Sequence, residues 1–256
     1  MQLGVCTGLD NLPLAAEVGF DYLECSISQI AQMSEADFQK LLQKPFPIPI
    51  LRGNGMIPGH IKLCGPQADE KQWRGYLQTA FQRSKALGLG VMVLGSGAAR
   101  NVPEGYSYAK ALQDLFFFFA VVAEFAEQYN LPVAIEPLRR EESNVINSVA
   151  EGMWIAAHID SPYLGVLGDS FHMLSVHEPF EMLENASEKL LHMHISRPLS
   201  DLSGREYPYP DDGIHYQPLF DALKKANYTG CVSIEAATKD FAHDAPLAVQ
   251  RLKPFL

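Results

Sequence analysis

Acidic and imidazole side chains end four consecutive β-rich segments in the second half of this 256-residue chain. These residues are Glu136, Asp169, His194 and Glu235. Three carboxylates and one imidazole suit a hard or borderline divalent cation such as Mn²⁺ or Mg²⁺, and the set lacks the thiolates that favour zinc or copper. Because buried carboxylates without a counter-charge are costly, a bound cation would supply that charge. The set therefore predicts a metal centre.

Each of these residues also has a simpler interpretation. An acid at the end of a strand is more often a helix N-cap or a surface residue. His192 and His194 fall on the same side of their strand, so the alternation of side chains does not choose between them. Nearness to the end of the strand favours His194 as the ligand. Four such residues on consecutive strands are much harder to produce by chance, and we interpret them as one site.

The elements that must position these residues alternate between short strands and longer helices. The predicted strands are 3–7, 22–26, 48–51, 91–94, 133–135, 164–167, 190–195 and 231–234. The predicted helices are 11–18, 34–42, 68–87, 108–129, 149–159, 179–186, 216–227 and 245–255. Eight strand-then-helix units require a parallel sheet, and 256 residues match the usual size of a (β/α)₈ TIM barrel. In such a barrel the carboxyl ends of all strands converge on one pocket.

A doubly wound open sheet is the competing fold. It would normally carry a GxGxxG fingerprint after its first strand, whereas that turn here is Thr7-Gly8-Leu9-Asp10. We find no linker, low-complexity tract or shift in composition, so we expect residues 1–256 to form a single TIM-barrel domain.

Composition and charge limit the partners that we expect. The formal net charge is −10, whereas a nucleic-acid-binding protein usually presents a basic face to phosphates. No apolar run approaches the roughly 20 residues needed to cross a bilayer. The N-terminus has no basic segment followed by an apolar one, and the four cysteines are scattered without a CxxC pair. We therefore expect a cytoplasmic protein with reduced thiols that binds neither nucleic acid nor membrane.

Four motifs resemble one known family. They are Glu136-Pro137-Leu138 followed by Glu142, then Gly168-Asp169-Ser170-Phe171-His172-Met173, then His194, and then Ser233-Ile234-Glu235. The sequence resembles the xylose-isomerase-like sugar isomerases and epimerases, and within them the ketose 3-epimerases of the D-tagatose and D-psicose (allulose) type. The segment from Ala16 to Glu24 is also similar, so the likeness covers nearly the whole chain.

The resemblance implies a mechanism and a set of residues. One metal would be bound by Glu136, Asp169, His194 and Glu235, and the two glutamates would also act as the acid/base pair. Residues matching Glu142, His172 and an arginine would hold the carbonyl and hydroxyls of the substrate. The C–H next to a carbonyl is a very weak acid, so a metal would stabilise the cis-enediolate while one carboxylate removes the proton and the other returns one.

The resemblance also sets the cofactor and partner that we expect. Mn²⁺ is the first expectation for the metal, and Mg²⁺, Co²⁺ and Zn²⁺ stay open. The substrate would be a small sugar or a sugar-like polyol ketone. Many members of the family are dimers or tetramers, so a homo-oligomer is possible, but no feature of this sequence decides the number.

The sequence departs from the epimerases in two places. Arg205 fits the family's arginine-before-proline pattern better than Arg197, but it requires a longer loop after His194. The segment from Gly95 to Arg100 stands where the better-known enzymes carry a bulky aromatic residue. Its glycines could let the backbone approach a ligand and Arg100 could meet an anionic group, or the segment could be a tight turn with a solvated arginine. His60 is a weaker candidate for the pocket.

Other functions stay open at this level. An aldose–ketose isomerase or an inosose dehydratase would use the same metal and the same first steps. An abasic-site endonuclease would need two or three zinc ions, further histidines after strands three and four, and a basic groove, whereas strand four here ends in Gly95-Ser96-Gly97 and the net charge is acidic. A non-catalytic sugar-binding barrel would not need both Glu136 and Glu235.

Overall fold

Eight parallel strands form a closed barrel in the computed structural model, which describes residues 1–256. The strands are β1 Gln2–Cys6, β2 Tyr22–Ser26, β3 Ile50–Asn54, β4 Val91–Leu94, β5 Val133–Ile135, β6 Leu164–Asp169, β7 Leu190–Ile195 and β8 Cys231–Ile234. Their order around the barrel is the order of the sequence, and β1 closes the barrel by pairing with β8. The predicted (β/α)₈ barrel is confirmed.

Helices follow most strands and surround the barrel. They are α1 Leu12–Val18, α2 Ile27–Gln32, α3 Glu35–Leu42, α4 Glu70–Leu87, α5 Gly97–Arg100, α6 Tyr108–Tyr129, α7 Val149–Ile159, α8 Ser170–Ser175, α9 Met182–Ala186, α10 Gln217–Lys225 and α11 Phe241–Leu252. Three short helices were not predicted, namely α2, α5 and α8. Each begins within three residues of the end of a strand and is too short to show a helical period.

Capping side chains explain where several helices begin. Ser34 accepts a hydrogen bond from the N–H of Asp37 at 3.1 Å, as the sequence predicted for α3. The last long helix begins at Phe241 and not at the predicted residue 245, because the side chain of Asp240 caps it. Strand β3 begins at Ile50 and not at residue 48, since Pro49 has no N–H to donate to a sheet.

The apolar core lies mainly between the barrel and its helices, in two large clusters of buried side chains. Part of the barrel interior is polar instead. Tyr22, Glu24, His192 and Ser233 all point inward and are at most 1% exposed. Gly4 makes room for this polar group, because a Cβ at that position would collide with the ring of Tyr22. The part of the barrel interior between β2, β7 and β8 therefore holds a hydrogen-bonded network in place of packed aliphatic side chains.

An antiparallel hairpin covers part of the C-terminal face of the barrel. Arg197–Pro198 pairs with Arg205–Glu206 in the long connection after β7. Because the hairpin folds the chain back on itself, Arg205 returns to the end of β7 although it lies well beyond His194 in sequence. The predicted long loop is thus an ordered two-stranded element. None of the helices is both long and apolar enough to span a bilayer.

Candidate metal centre

The register of four neighbouring strands brings the predicted acids and imidazole to one place. Asp169 at the end of β6 pairs directly with His194 of β7, and Ser233 of β8 pairs with His194 from the other side. Glu235 and Glu136 follow the last residues of β8 and β5. Their N–H groups continue the sheet by donating to the carbonyls of Ile195 and Leu94, both at 3.1 Å. All four functional groups therefore meet at the C-terminal face.

One nitrogen of His194 is the centre of this cluster. Its Nδ1 lies 3.0 Å from Oε2 of Glu235, 3.2 Å from Oε1 of Glu136 and 3.7 Å from Oδ2 of Asp169. One ligand atom from each of the four residues lies within 4.8 Å of the other three. His194 therefore lies with the acids, whereas His192 contacts Glu24 deeper in the barrel, so this geometry supports the prediction that His194 is the ligand.

Asp169 is both a helix N-cap, which was the simpler interpretation of a strand-end acid, and a member of the cluster. Its Oδ1 accepts hydrogen bonds from the N–H groups of Phe171 at 2.7 Å and His172 at 3.0 Å, and so caps α8. Its Oδ2 is left for the cluster. While the cap holds Oδ1, Oδ2 faces Nδ1 of His194 and Nη1 of Arg205.

Arg205 is the cation next to the cluster. Its Nη1 donates to Oδ2 of Asp169 at 2.6 Å, and its Nη2 lies 2.7 Å from Oε2 of Glu235. Its guanidinium also lies over the ring of Phe171, at 5.3 Å from the centroid. Arg197, the alternative candidate, forms an ion pair with Glu206 and lies over Tyr209 instead. The geometry therefore places Arg205, and not Arg197, beside the acids.

The surroundings of the two glutamates shift their pKa values in opposite directions. Burial raises the pKa of Glu136, and the negative charge of Glu235 raises it further. Burial also acts to raise the pKa of Glu235, but the charges of His194 and Arg205 outweigh it and hold that pKa below its ordinary value. In the protein without a cation, Glu136 is the more easily protonated partner and Glu235 the more firmly ionised one.

The residues fit a divalent cation. Oε2 of Glu235 is buried and accepts no aligned hydrogen bond, although it is ringed by His194 and Arg205. Three carboxylates converge there with only one arginine as permanent counter-charge, an arrangement that is costly in a buried site. Carboxylate oxygens with a single imidazole nitrogen match the ligand preference of Mn²⁺, Mg²⁺ and similar ions. The four groups thus form a site that could hold one divalent metal ion.

Of the other predicted substrate-binding residues, His172 is joined directly to the cluster, because its backbone N–H donates to Oδ1 of Asp169, and Glu142 is joined to His172 through Arg139. His172 is buried, its Nδ1 accepts from the N–H of Arg139 at 3.2 Å, and its Nε2 has no hydrogen-bond partner. Glu142 is half exposed and accepts from Nε of Arg139 at 2.7 Å. A ligand that takes the free Nε2 of His172 would satisfy a buried nitrogen that the protein itself leaves unpaired.

Two expectations for the segment after β4 were wrong. Arg100 neither meets a ligand nor faces solvent: it is 0% exposed, and it donates to the carbonyls of Glu136 at 2.8 Å and Ile146 at 3.1 Å. Gly95 makes room for a protein group, because a Cβ there would collide with Oε2 of Glu136. Arg100 therefore holds the backbone of Glu136, and Gly95 leaves the space that its carboxylate occupies. His60, the weaker candidate, lies exposed at the surface.

Substitution of Gly95 by alanine should separate activity from stability. The added methyl group meets the end of the Glu136 side chain, which can move away, so we expect little loss of stability. A displacement of about 1 Å costs about 10²-fold in rate, and we expect turnover to fall by about that factor. The control is Gly75→Ala in α4, where a Cβ meets nothing within 4 Å. Equal turnover of the two variants in a steady-state assay would contradict the assignment of Glu136.

Sequence reasoning missed two residues that contact the cluster. Glu24 of β2 lies behind His194 with Oε1 at 3.0 Å from its Nε2. Asn54, the last residue of β3, donates from Nδ2 to Oε1 of Glu235 at 3.2 Å. Asn54 lies at the carboxyl end of its strand, as the predicted acids do, so the same reasoning could have identified it. Glu24 lies within a strand and could not.

Comparisons with known proteins agree with this architecture. A family model described as "Xylose isomerase-like TIM barrel" matches residues 12–254. The D-psicose 3-epimerase of Agrobacterium fabrum is 25% identical over 236 residues, which cover 88% of this chain and 77% of that protein.

Two solved structures share the fold. The D-allulose 3-epimerase from Methylomonas sp. in complex with D-allulose has a TM-score of 0.84 at 18% identity, over 100% of this chain and 97% of that one. The 3-keto-D-glucoside 4-epimerase of E. coli has a TM-score of 0.80 at 17% identity, over 98% of both chains. From the family match along nearly its whole length, the chain belongs to the xylose isomerase-like TIM barrel family.

Proposed function

We propose that this protein is a divalent-metal-dependent sugar epimerase that inverts a carbon next to a carbonyl, with a ketose at C3 as the first candidate. The observation that carries the proposal is the convergence of Glu136 and Glu235 on the same imidazole nitrogen. The strand order β8, β7, β6, β5 puts these two carboxylates at opposite ends of the ligand set. Two carboxylates on either side of one bound sugar are what an inversion by proton removal and return requires.

In this mechanism the metal would be held by Glu136, Asp169, His194 and Glu235. When bound, it supplies Lewis acidity that stabilises negative charge on the oxygens of the enediolate. One of the two glutamates removes the proton from the carbon, and the other delivers a proton to the opposite face. Mn²⁺ is the ion that we propose, because the ligands are mainly carboxylates and include no thiolate.

Arg205 and His172 would hold the substrate oxygens. The guanidinium of Arg205 already lies beside two members of the cluster, and its donors can bind the carbonyl or hydroxyl of a sugar at that position. Nε2 of His172 offers a further buried polar atom. Glu142 is held through Arg139 and is half exposed, which suits a contact with an outer hydroxyl.

A keto-glycoside 4-epimerase is the second candidate, and one observation favours it. A cavity of about 640 Å³ lies beside Arg205 and is lined partly by Tyr207, Tyr209 and Leu247. Its walls come from the connections after β7 and β8 and from the first half of α11, and Arg205 is the proposed site residue that lines it. Such a cavity has room for a substituent on the sugar, and aromatic and aliphatic side chains suit the apolar face of that substituent.

The test is incubation of the metal-loaded protein in D₂O with D-fructose, D-psicose, aldoses, an inosose and a 3-keto-glucoside. We expect one substrate to gain a single deuterium at the carbon that is inverted, read by NMR. Deuterium at C3 of a ketose supports the first candidate, and deuterium at C4 of the keto-glycoside supports the second. Failure of every member of the panel to exchange a carbon-bound proton would contradict both.

A further inference from the structure

Glu24 is a buried carboxylate for which the proposed reaction has no direct use. It belongs to β2 on the far side of the barrel interior and is 1% exposed. Its Oε1 lies 3.0 Å from Nε2 of His194, and its Oε2 lies 2.8 Å from Nε2 of His192. A charged group buried to this degree requires firm hydrogen bonds on both oxygens, and Glu24 has them.

The contact with His194 determines which nitrogen faces the cluster. A carboxylate can only accept, so Nε2 of His194 must carry the hydrogen in this contact. In the protein without a cation, Nδ1 also faces carboxylate oxygens of Glu235 and Glu136, at 3.0 and 3.2 Å, and carries a hydrogen toward them. A cation bound among the acids would replace that hydrogen on Nδ1, while Nε2 keeps its own hydrogen for Glu24. If Nδ1 carried the only hydrogen instead, its N–H would point at the acids and the lone pair of Nε2 would face Glu24, where no donor lies.

We propose that Glu24 is the positioning residue of the metal centre: it fixes the ring orientation and tautomer of His194 so that Nδ1 is the metal ligand. Ligand histidines commonly donate their second ring nitrogen to a carboxylate in this way, and loss of that partner costs 10–100-fold in metal affinity. The inference concerns the same site as the proposed function, but it is a statement about metal affinity and does not depend on the substrate.

The remaining network holds Glu24 itself in place. His192 bonds Oε2 of Glu24 through one nitrogen, and its Nδ1 lies 3.0 Å from the carbonyl of Cys231 in β8. The hydroxyl of Ser233 lies 3.3 Å from the same histidine and 2.7 Å from the hydroxyl of Tyr22. The chain of contacts crosses the barrel from β2 to β8, so Glu24 has little freedom to turn away from His194.

The thiol of Cys6 is the other group near the same nitrogen. Its Sγ lies 3.9 Å from Nε2 of His194, a longer contact than that of Glu24 at 3.0 Å. Sulfur is also a weak acceptor compared with a carboxylate oxygen. Glu24 is therefore the partner that decides the orientation of the ring.

The experiment measures the Kd of Mn²⁺ by calorimetry for wild type, Glu24→Ala and Glu24→Gln, with thermal melting to establish that each is folded. We expect the alanine variant to bind 10–100-fold more weakly. The glutamine variant should lose less, because its amide oxygen can still accept from Nε2 of His194. Its NH₂ can donate to Nε2 of His192 when the hydrogen of that ring is on Nδ1, toward the carbonyl of Cys231. The control is Glu178→Gln, which alters a carboxylate that accepts from Val149 and Ala150 at the start of α7.

A second measurement keeps the proposal testable if the alanine variant does not fold. In wild type loaded with Zn²⁺, ¹⁵N NMR should show His194 protonated at Nε2 and not at Nδ1. A proton on Nδ1 would overturn the proposal, as would a folded alanine variant whose Kd lies within about twofold of wild type instead of the expected 10–100-fold. If wild type itself bound no metal, the proposed metal-dependent function would fail along with it, whereas metal binding with unchanged variants would remove only the role of Glu24.

Discussion

Replacement of Glu136 or Glu235 by glutamine is expected to lower turnover by about 10³-fold or more while the protein remains folded. Each substitution removes a group that can take or give a proton, and general acid–base catalysis alone contributes about 10²–10⁴-fold. Each also removes a charged ligand from the proposed metal. Glutamine has nearly the same shape as glutamate, so the contact of Asn54 with residue 235 and the packing around Gly95 can persist.

The measurement is the steady-state rate on the substrate found in the D₂O experiment, with excess Mn²⁺ to offset weaker binding. The matched control is Glu124→Gln, which alters a carboxylate at the surface in an ion pair with Arg74. Exposed pairs of this kind contribute about 0.2–1 kcal/mol, so neither rate nor stability should change much. If either active-site variant kept turnover within about tenfold of wild type, well short of the 10²–10⁴-fold of acid–base catalysis, the paired-carboxylate mechanism would be wrong.

Removal of the metal should have the second large effect, on both activity and stability. Without a cation, the three carboxylates depend on His194 and Arg205 for counter-charge. Dialysis against EDTA should therefore abolish turnover, and Mn²⁺ should restore it. A metal at about 100 times its Kd stabilises the fold by about 2.7 kcal/mol, and for a chain of this size that corresponds to a rise in Tm of roughly 5–10 °C.

Thermal melting with and without Mn²⁺ checks the stability part of this prediction and needs no substrate. Asp169→Asn is the informative comparison, because its amide can still cap α8 through Oδ1 but lacks the charge. We expect the response of Tm to Mn²⁺ to shrink or disappear in that variant. If Mn²⁺ did not change the Tm of the wild type, and if chelation did not lower its activity, the proposal that the protein depends on a metal would be wrong.

The barrel and the cluster could be predicted because both depend on short-range pattern and one general rule. Alternating strand and helix segments indicate a parallel sheet, and parallel strands deliver their carboxyl ends to one face. That rule identified Glu136, Asp169, His194 and Glu235 without any contact information. The local pattern of apolar and β-branched residues also predicts the observed bounds of five of the eight strands, among them Val91–Leu94 and Leu190–Ile195.

What could not be predicted depends on contacts between distant parts of the chain. Glu24 lies in the middle of β2 and contacts a histidine that is 170 positions away, so no local pattern indicates its role. Arg100 resembles a turn arginine in sequence, and only the fold shows that it is buried against the carbonyl of Glu136. The choice between Arg197 and Arg205 required the hairpin, which consists of two-residue strands without a recognisable period.

The most direct test of the metal centre is anomalous X-ray scattering from crystals of the protein grown with Mn²⁺. We expect one strong peak per chain, with Nδ1 of His194 and one oxygen each of Glu136, Asp169 and Glu235 at about 2.0–2.5 Å from it. A peak elsewhere would contradict the account, as would no peak at all with Arg205 still paired to Asp169 and Glu235.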